Sequence, residues 1–186
     1  MAILRPPMRL FLVPLSLLAL LVPTASAVET QRGDGTLSIR DGRGSVVVHA
    51  RGAVIGQLTR FERNGRLVIE VPDTDDDSEP KVVGADWVRA RADGTLVYGG
   101  KGIRFRFIDG RFVLRVRNAV GLQLSVVGKG KVRLDGAGSL TTGLVYDGVY
   151  SLNGEAPESL PDEPETVQLR PPAAASTKPS RFRSVR

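Results

Sequence analysis

The chain of 186 residues contains no cysteine and a single histidine, His49. Without thiols it has no disulfides, no thiolate metal site, no thiol nucleophile and no lipid-modified cysteine near its start. One histidine excludes a multi-histidine metal centre. Aromatic residues are scarce at 5%, and no window carries a capped helical period. Nucleophile elbows, triad spacings and paired-carboxylate signatures are also missing, so no cofactor and no catalysis are expected.

What is present begins with a leader. Met1 to Arg9 carries two positive charges, Leu10 to Val22 is an apolar run of 13 residues, and Ala25-Ser26-Ala27 places small residues at Ala25 and Ala27 as a cleavage site. Thirteen residues rise only about 20 Å as a helix, short of a bilayer core of roughly 30 Å, and Pro14 interrupts them. The expectation is a signal peptide over 1–27, an exported protein, and no transmembrane segment after cleavage. The 159 remaining residues suit one domain. With Arg5 and Arg9 removed, 24 basic residues face 20 acidic ones, a mild net charge of +4.

The mature chain divides into a flexible lead-in over 28–35, a patterned region over 36–154, and a tail over 155–186. Six prolines from Pro157 to Pro179, with Ala173 to Ala175, leave the tail little apolar surface to bury, which predicts disorder. It ends in Arg181, Arg183 and Arg186.

Asp-Gly or Asn-Gly pairs punctuate the patterned region, at Asp34, Asp41, Asn64, Asp93, Asp109, Asp135, Asp147 and Asn153. Such pairs accept the positive φ angles of tight turns, and the runs between them are rich in Val, Ile, Leu, Thr and Phe. The expected fold is all-β: one antiparallel sandwich or barrel of about eight to ten short strands joined by hairpins.

A two-residue loop at Asp109-Gly110 sets Phe107 opposite Phe112, Phe105 opposite Leu114 and Ile103 opposite Val116. Arg104, Arg106, Arg115 and Arg117 then point outward, with Arg104 facing Arg115. At Asn64-Gly65 a three-residue loop or bulge fits better, placing Phe61 against Leu67 and Thr59 against Ile69. The stretch from Asp41-Gly42-Arg43 to Leu58 also echoes that from Asp109-Gly110-Arg111 to Leu124. Ala53-Val54 matches Ala119-Val120, and Gln57-Leu58 matches Gln123-Leu124, either as a duplicated β unit or as shared turn chemistry.

The candidate site is basic. Arg89, Arg91, Arg104, Arg106, Arg115, Arg117, Lys129, Lys131 and Arg133 alternate with apolar or small residues, so they are expected on outward strand faces. Arginine forks bind phosphate and carboxylate bidentately, so such a face suits an anionic envelope polymer; a solvated face is the competing reading. Asp73, Asp75, Asp76, Asp77 and Glu79 crowd a loop that reads either as a weak calcium site or as a solvated acidic loop screening the basic face. Trp87, Tyr146 and Tyr150 are candidates for a carbohydrate platform, and Asp86, Asp93, Asp109 and Asp135 are the carboxylates available to a polysaccharide-active enzyme. His49 reads as a strand-surface residue without a catalytic role. Lys101 to Phe107 superficially resembles an RNA-recognition strand, but Ile103 and Arg104 break the motif, and an exported protein meets no cytoplasmic nucleic acid.

The run Gly148-Val149-Tyr150-Ser151-Leu152-Asn153-Gly154, with Gly35 to Ile39 and Gly102 to Phe107, resembles a family of exported β-rich proteins of high-GC bacteria to which no activity is assigned. The resemblance implies export and a single β domain, and supplies no catalytic position. The resulting expectation is a monomeric or weakly associating, envelope-associated binding or structural module. A passive adhesin-like protein is the alternative, and a polysaccharide-active enzyme ranks below both.

Overall fold

The structure is a computed structural model that describes residues 34–72, 79–138 and 147–171. Among these residues there is no helix, and nine strands form one curled antiparallel sheet. They are β1 (Gly35–Glu70), β2 (Lys81–Val83), β3 (Trp87–Ala90), β4 (Leu96–Gly99), β5 (Lys101–Phe107), β6 (Arg111–Gly136), β7 (Val149–Leu152), β8 (Glu158–Ser159) and β9 (Glu165–Leu169). The leader, with Ala25 and Ala27, lies outside the described residues, as do Asp73, Asp75, Asp76, Asp77, Tyr146 and the chain beyond 171.

Two strands dominate, β1 with 36 residues and β6 with 26. Each bends repeatedly, so the pairing separates into two ladders of segments. Four pieces of β1 are a (35–39), b (44–51), c (52–61) and d (66–70); three pieces of β6 are a (111–117), b (119–128) and c (128–136). The first ladder runs β9, β6c, β1b, β6a, β1d, β4, β3. The second runs β8, β7, β1a, β6b, β1c, β5, β2. Each long strand therefore returns to the same ladder one place beyond its partner. Leu37 and Val54, 17 residues apart, both pair with Val126.

Alternation along the segments sends one set of side chains inward. Val46, Val48, Leu114 and Leu134 from the first ladder join Leu37, Val54, Phe105 and Leu124 from the second in one buried cluster. Phe107 and Phe112, on either side of a bend, meet with ring centroids 5.3 Å apart at 56°, a geometry that adds about 0.5–1.5 kcal/mol to the burial of the rings.

The expected hairpin at Asp109-Gly110 does not form. Phe107 pairs with Val54 and Phe112 with Ala50, so β5 and β6 follow each other along β1 and do not pair with each other. Asp109 adopts φ 61° and Gly110 φ 128°, and the Gly52 N–H donates to the Gly110 carbonyl at 2.9 Å across the bend. At Asn64-Gly65 the bulge forms and the alternative three-residue hairpin loop does not. Phe61 pairs with Ala119 and Arg66 with Arg117, so the intervening residues bulge from β1. Asn118 Nδ2 ties the bulge by donating to the Arg63 carbonyl at 3.0 Å. Asp-Gly and Asn-Gly chemistry supplies positive φ, and bulges in continuous strands need it as much as chain reversals do. Asp93-Gly94 does close a hairpin, between β3 and β4, where the Asp93 carboxylate accepts from the Thr95 N–H at 2.9 Å.

The tightest bend pairs Gly52 (φ 145°) with Gly128 (φ 152°). A Cβ on Gly52 would stand 2.1 Å from the Val127 carbonyl oxygen, and one on Gly128 2.2 Å from that of Arg51. The backbones come this close because neither residue has a side chain.

The boundary expected at 155 is corrected. Glu165–Leu169 forms β9 on the edge of the first ladder, with Val167 opposite Val132, and Leu160, Val167 and Leu169 are buried. These apolar residues at alternating positions are few but well placed, and proline-rich composition concealed them.

The pairing pattern repeats with an offset of 66. Val48 faces Leu114 at the centre of the first ladder, and Gln57 faces Gln123 at the centre of the second. Adding 66 carries β1 onto the span of β5 and β6 and reproduces the order of neighbouring segments, with registers shifted by two or three residues away from the centres. The echo between Ala53 to Leu58 and Ala119 to Leu124, at the same offset of 66, thus has a counterpart in the order of the paired segments.

Candidate polyanion-binding face

Residues directly opposite in an antiparallel pair share a side of the sheet, so the ladder registers show which side chains are neighbours. One outward row of the first ladder reads Gln168, Lys131, His49, Val113, Glu70. The next reads Thr166, Arg133, Val47, Arg115, Val68, Val97, Arg89. Flanking these rows, Lys129 and Arg111 both pair with Arg51, and Arg117 pairs with Arg66.

Of the nine expected cations, Arg89, Arg91, Arg115, Arg117, Lys129, Lys131 and Arg133 lie on this face. Arg104 and Arg106 do not; they sit on β5 in the second ladder, facing away on the other side of the shared core. The expected Arg104/Arg115 opposition is therefore absent, because it rested on the hairpin that does not form. Like-charge oppositions occur elsewhere, at Arg51/Arg111, Arg51/Lys129 and Arg66/Arg117. Sequence reasoning missed Arg51, Arg66 and Arg111. The first two carry on the alternation of β1 through His49 and Glu70, and Arg111 carries on that of β6 through Arg115, which was the signal available.

The rows converge on a small pocket of about 210 Å³ lined by Arg66, Val68, Glu70, Arg91, Arg115 and Arg117. Four cations surround one carboxylate. Arg115 donates to Glu70 Oε1, and both side chains are about one-third exposed. Val68 beneath them is buried, which gives the guanidinium groups an apolar floor. Arg89 stacks over Trp87 with its guanidinium carbon 5.1 Å from the ring centroid, a cation–π contact that holds this arginine along the edge.

His49 reports the field. Desolvation lowers its pKa below the ordinary 6.5, the cations Arg115 and Lys131 lower it further, and Glu70 opposes them.

The other candidates do not assemble. Tyr150 is buried, and its hydroxyl donates to Glu158 Oε2 at 2.9 Å. Its ring is thus core and no partner to exposed Trp87. Desolvation, the Glu158 hydrogen bond and nearby carboxylates push the Tyr150 pKa up to about 12. Asp86, Asp93, Asp109 and Asp135 occupy separate bends: before β3, between β3 and β4, between β5 and β6, and at the end of β6. Glu79 is exposed, and the described residues hold no group of three or more potential metal ligands. Phe105 and Phe107, aligned with the RNA-recognition strand in the sequence, are buried. Among the described residues no helix is long and apolar enough to cross a membrane.

Comparison with protein-family models, curated proteins and solved structures finds no match to this chain.

Proposed function

We propose that the protein is an exported, envelope-associated binding module without catalytic chemistry, which holds an anionic surface polymer on the outer face of the first ladder. The observation that carries this reading is the set of like-charge oppositions, Arg51/Arg111, Arg51/Lys129 and Arg66/Arg117. Like charges directly opposite are destabilising, and an anion lying between them removes the penalty while accepting bidentate hydrogen bonds. Cations on four adjacent segments, β6c, β1b, β6a and β1d, with Arg89 beyond β4, suit an extended polyanion better than a single small anion. A leader of the kind expected over 1–27 supports this reading, since export would bring the protein to such polymers, and the scattered turn carboxylates give no support to a glycosidase.

The test is retention of the purified protein on isolated cell envelope across a salt gradient, beside a variant with Arg115, Arg117, Lys131 and Arg133 changed to Gln. Retention that fades with ionic strength and is lost in the variant supports the reading, because contacts to phosphates or carboxylates on a polymer are strongly screened. Equal retention of both proteins, or salt-independent retention, overturns it in favour of a passive structural module.

A further inference from the structure

The outer face of the second ladder carries a larger feature, an open groove of about 620 Å³. This lies within the roughly 300–1,000 Å³ range of small-molecule sites. Among the described residues four cations line it, Arg40, Lys81, Arg104 and Arg106, and no carboxylate does. The ladder registers order them. Ile55 faces Arg106, which faces Lys81; Gln57 faces Arg104, which faces Val83. Arg104 and Arg106 thus each have one polar and one aliphatic partner, arranged diagonally across β5.

The aliphatic residues are unusual for an outer sheet face. Ile55 is 46% exposed and Val83 61%, and both line the groove, as do Gly56 and edges of Ile39, Phe105 and Leu124. An extended hydrophilic polymer has no use for such a floor. A bare anion would use the four cations and leave the floor wet. What satisfies both is a molecule with a compact, multiply charged head and an aliphatic body.

We propose that this groove is a second binding site, independent of the polyanion face, for a single-chain amphiphile with a phosphate monoester head. The head, with close to two negative charges at neutral pH, is held by the guanidinium forks of Arg104 and Arg106 with Lys81, opposite Arg106, as the flanking charge. The chain lies over Ile55, on the other side of Arg106. Gln57 and Gln123, paired at the centre of the ladder, offer amide donors and acceptors to the ester oxygens.

The experiment is titration calorimetry of the full chain with dodecyl phosphate below its micelle concentration, with separate arms for inorganic phosphate, dodecanol and anionic phospholipid vesicles. The expected result is one-to-one binding of dodecyl phosphate at least about tenfold tighter than of either inorganic phosphate or dodecanol, since only the amphiphile uses both parts of the groove. An R104Q/R106Q variant with an unchanged melting curve should lose about tenfold or more, and I55S several-fold. An R115Q/R117Q variant of the other face should bind like the parent. Inorganic phosphate matching dodecyl phosphate would reduce the groove to a bare anion patch. Binding to vesicles but not to the dispersed amphiphile would make it a membrane-facing surface. Binding indifferent to R104Q/R106Q, or abolished by R115Q/R117Q, would place the site elsewhere. Any of these overturns the proposal, and none depends on whether the first ladder binds envelope.

Discussion

Gln57 lies directly opposite Gln123, its counterpart 66 positions further along the chain. A pair of this kind is the signature of two like halves meeting face to face, and Val48 with Leu114 repeats it on the other ladder. The same arrangement explains why the cations divide into two faces. Arg104 and Arg106 in β5 correspond under that offset to Ser38 and Arg40 in β1, all four on the second ladder, whereas Arg115 and Arg117 correspond to His49 and Arg51 on the first.

The close approach at Gly52 and Gly128 should tolerate no side chain. Gly52→Ala or Gly128→Ala would press a methyl group into a carbonyl oxygen of the adjoining strand and impose a strained φ. A loss of at least about 2 kcal/mol is expected from the combined overlap and strain. Gly94→Ala, where nothing lies within 4 Å, should lose only the conformational part, about 1 kcal/mol. Chemical denaturation of the three variants checks the ranking.

His49 is the only histidine, so its ring proton resonances titrate without overlap. Its pKa should fall below 6.5 in the free protein and rise when a soluble polyanion binds the first ladder, because the anion offsets Arg115 and Lys131. Since the folded pKa is the lower one, the unfolded chain takes up the proton first as pH falls. Stability from this group is therefore complete above pH 6.5 and declines below it. Polyanion addition that leaves the titration curve unmoved counts against binding on these rows.

Glu70 is the carboxylate among Arg66, Arg91, Arg115 and Arg117. Glu70→Gln removes the internal competitor for Arg115, so the affinity for a polyanion should rise by roughly two- to tenfold and its salt dependence should steepen. Envelope retention at increasing salt measures both changes.

Tyr150 should ionise far above the ordinary 10, near 12. A raised folded pKa means that stability from this group is present below pH 10 and lost as pH climbs toward 12. Tyr150→Phe should cost about 1 kcal/mol at pH 7 through the lost bond to Glu158, and should flatten the alkaline decline. Phenolate absorbance, followed with denaturation at several pH values, tests both parts.

Leu169 and Val167 anchor β9 in the core. Leu169→Ala should cost about 2–3 kcal/mol, a penalty a dispensable tail would not show. Thermal melting distinguishes the two.

Much of the inside of this protein was legible in the sequence. Period-two alternation put Ile103, Phe105, Phe107, Phe112, Leu114 and Val116 inward, and all six are buried. It also put Arg104, Arg106 and Arg117 outward, where they are exposed. Which strand lies beside which was not legible. A positive φ at Asp109 is equally at home in a hairpin and in a bend, and the choice between them is made by β1, more than 40 residues away. The candidate site inherited that ambiguity. Single residues were assigned to the right surface, but their grouping into one face failed for Arg104 and Arg106 and omitted Arg51, Arg66 and Arg111. Alternation is a local property, and neighbourhood in a ladder is not.

β1 and β6 each thread both ladders, so neither ladder can open without unzipping the strands that build the other. Hydrogen exchange of the amides in segments b and c of β1 and in all three segments of β6 should then proceed through one shared, global event with a common free energy, and only β2, β3 and β8 at the margins should fray independently. A protein threaded this way offers a protease little in the way of partly opened states. Slow folding is also expected, because the many pairings of β1 with β6 join residues far apart in the chain.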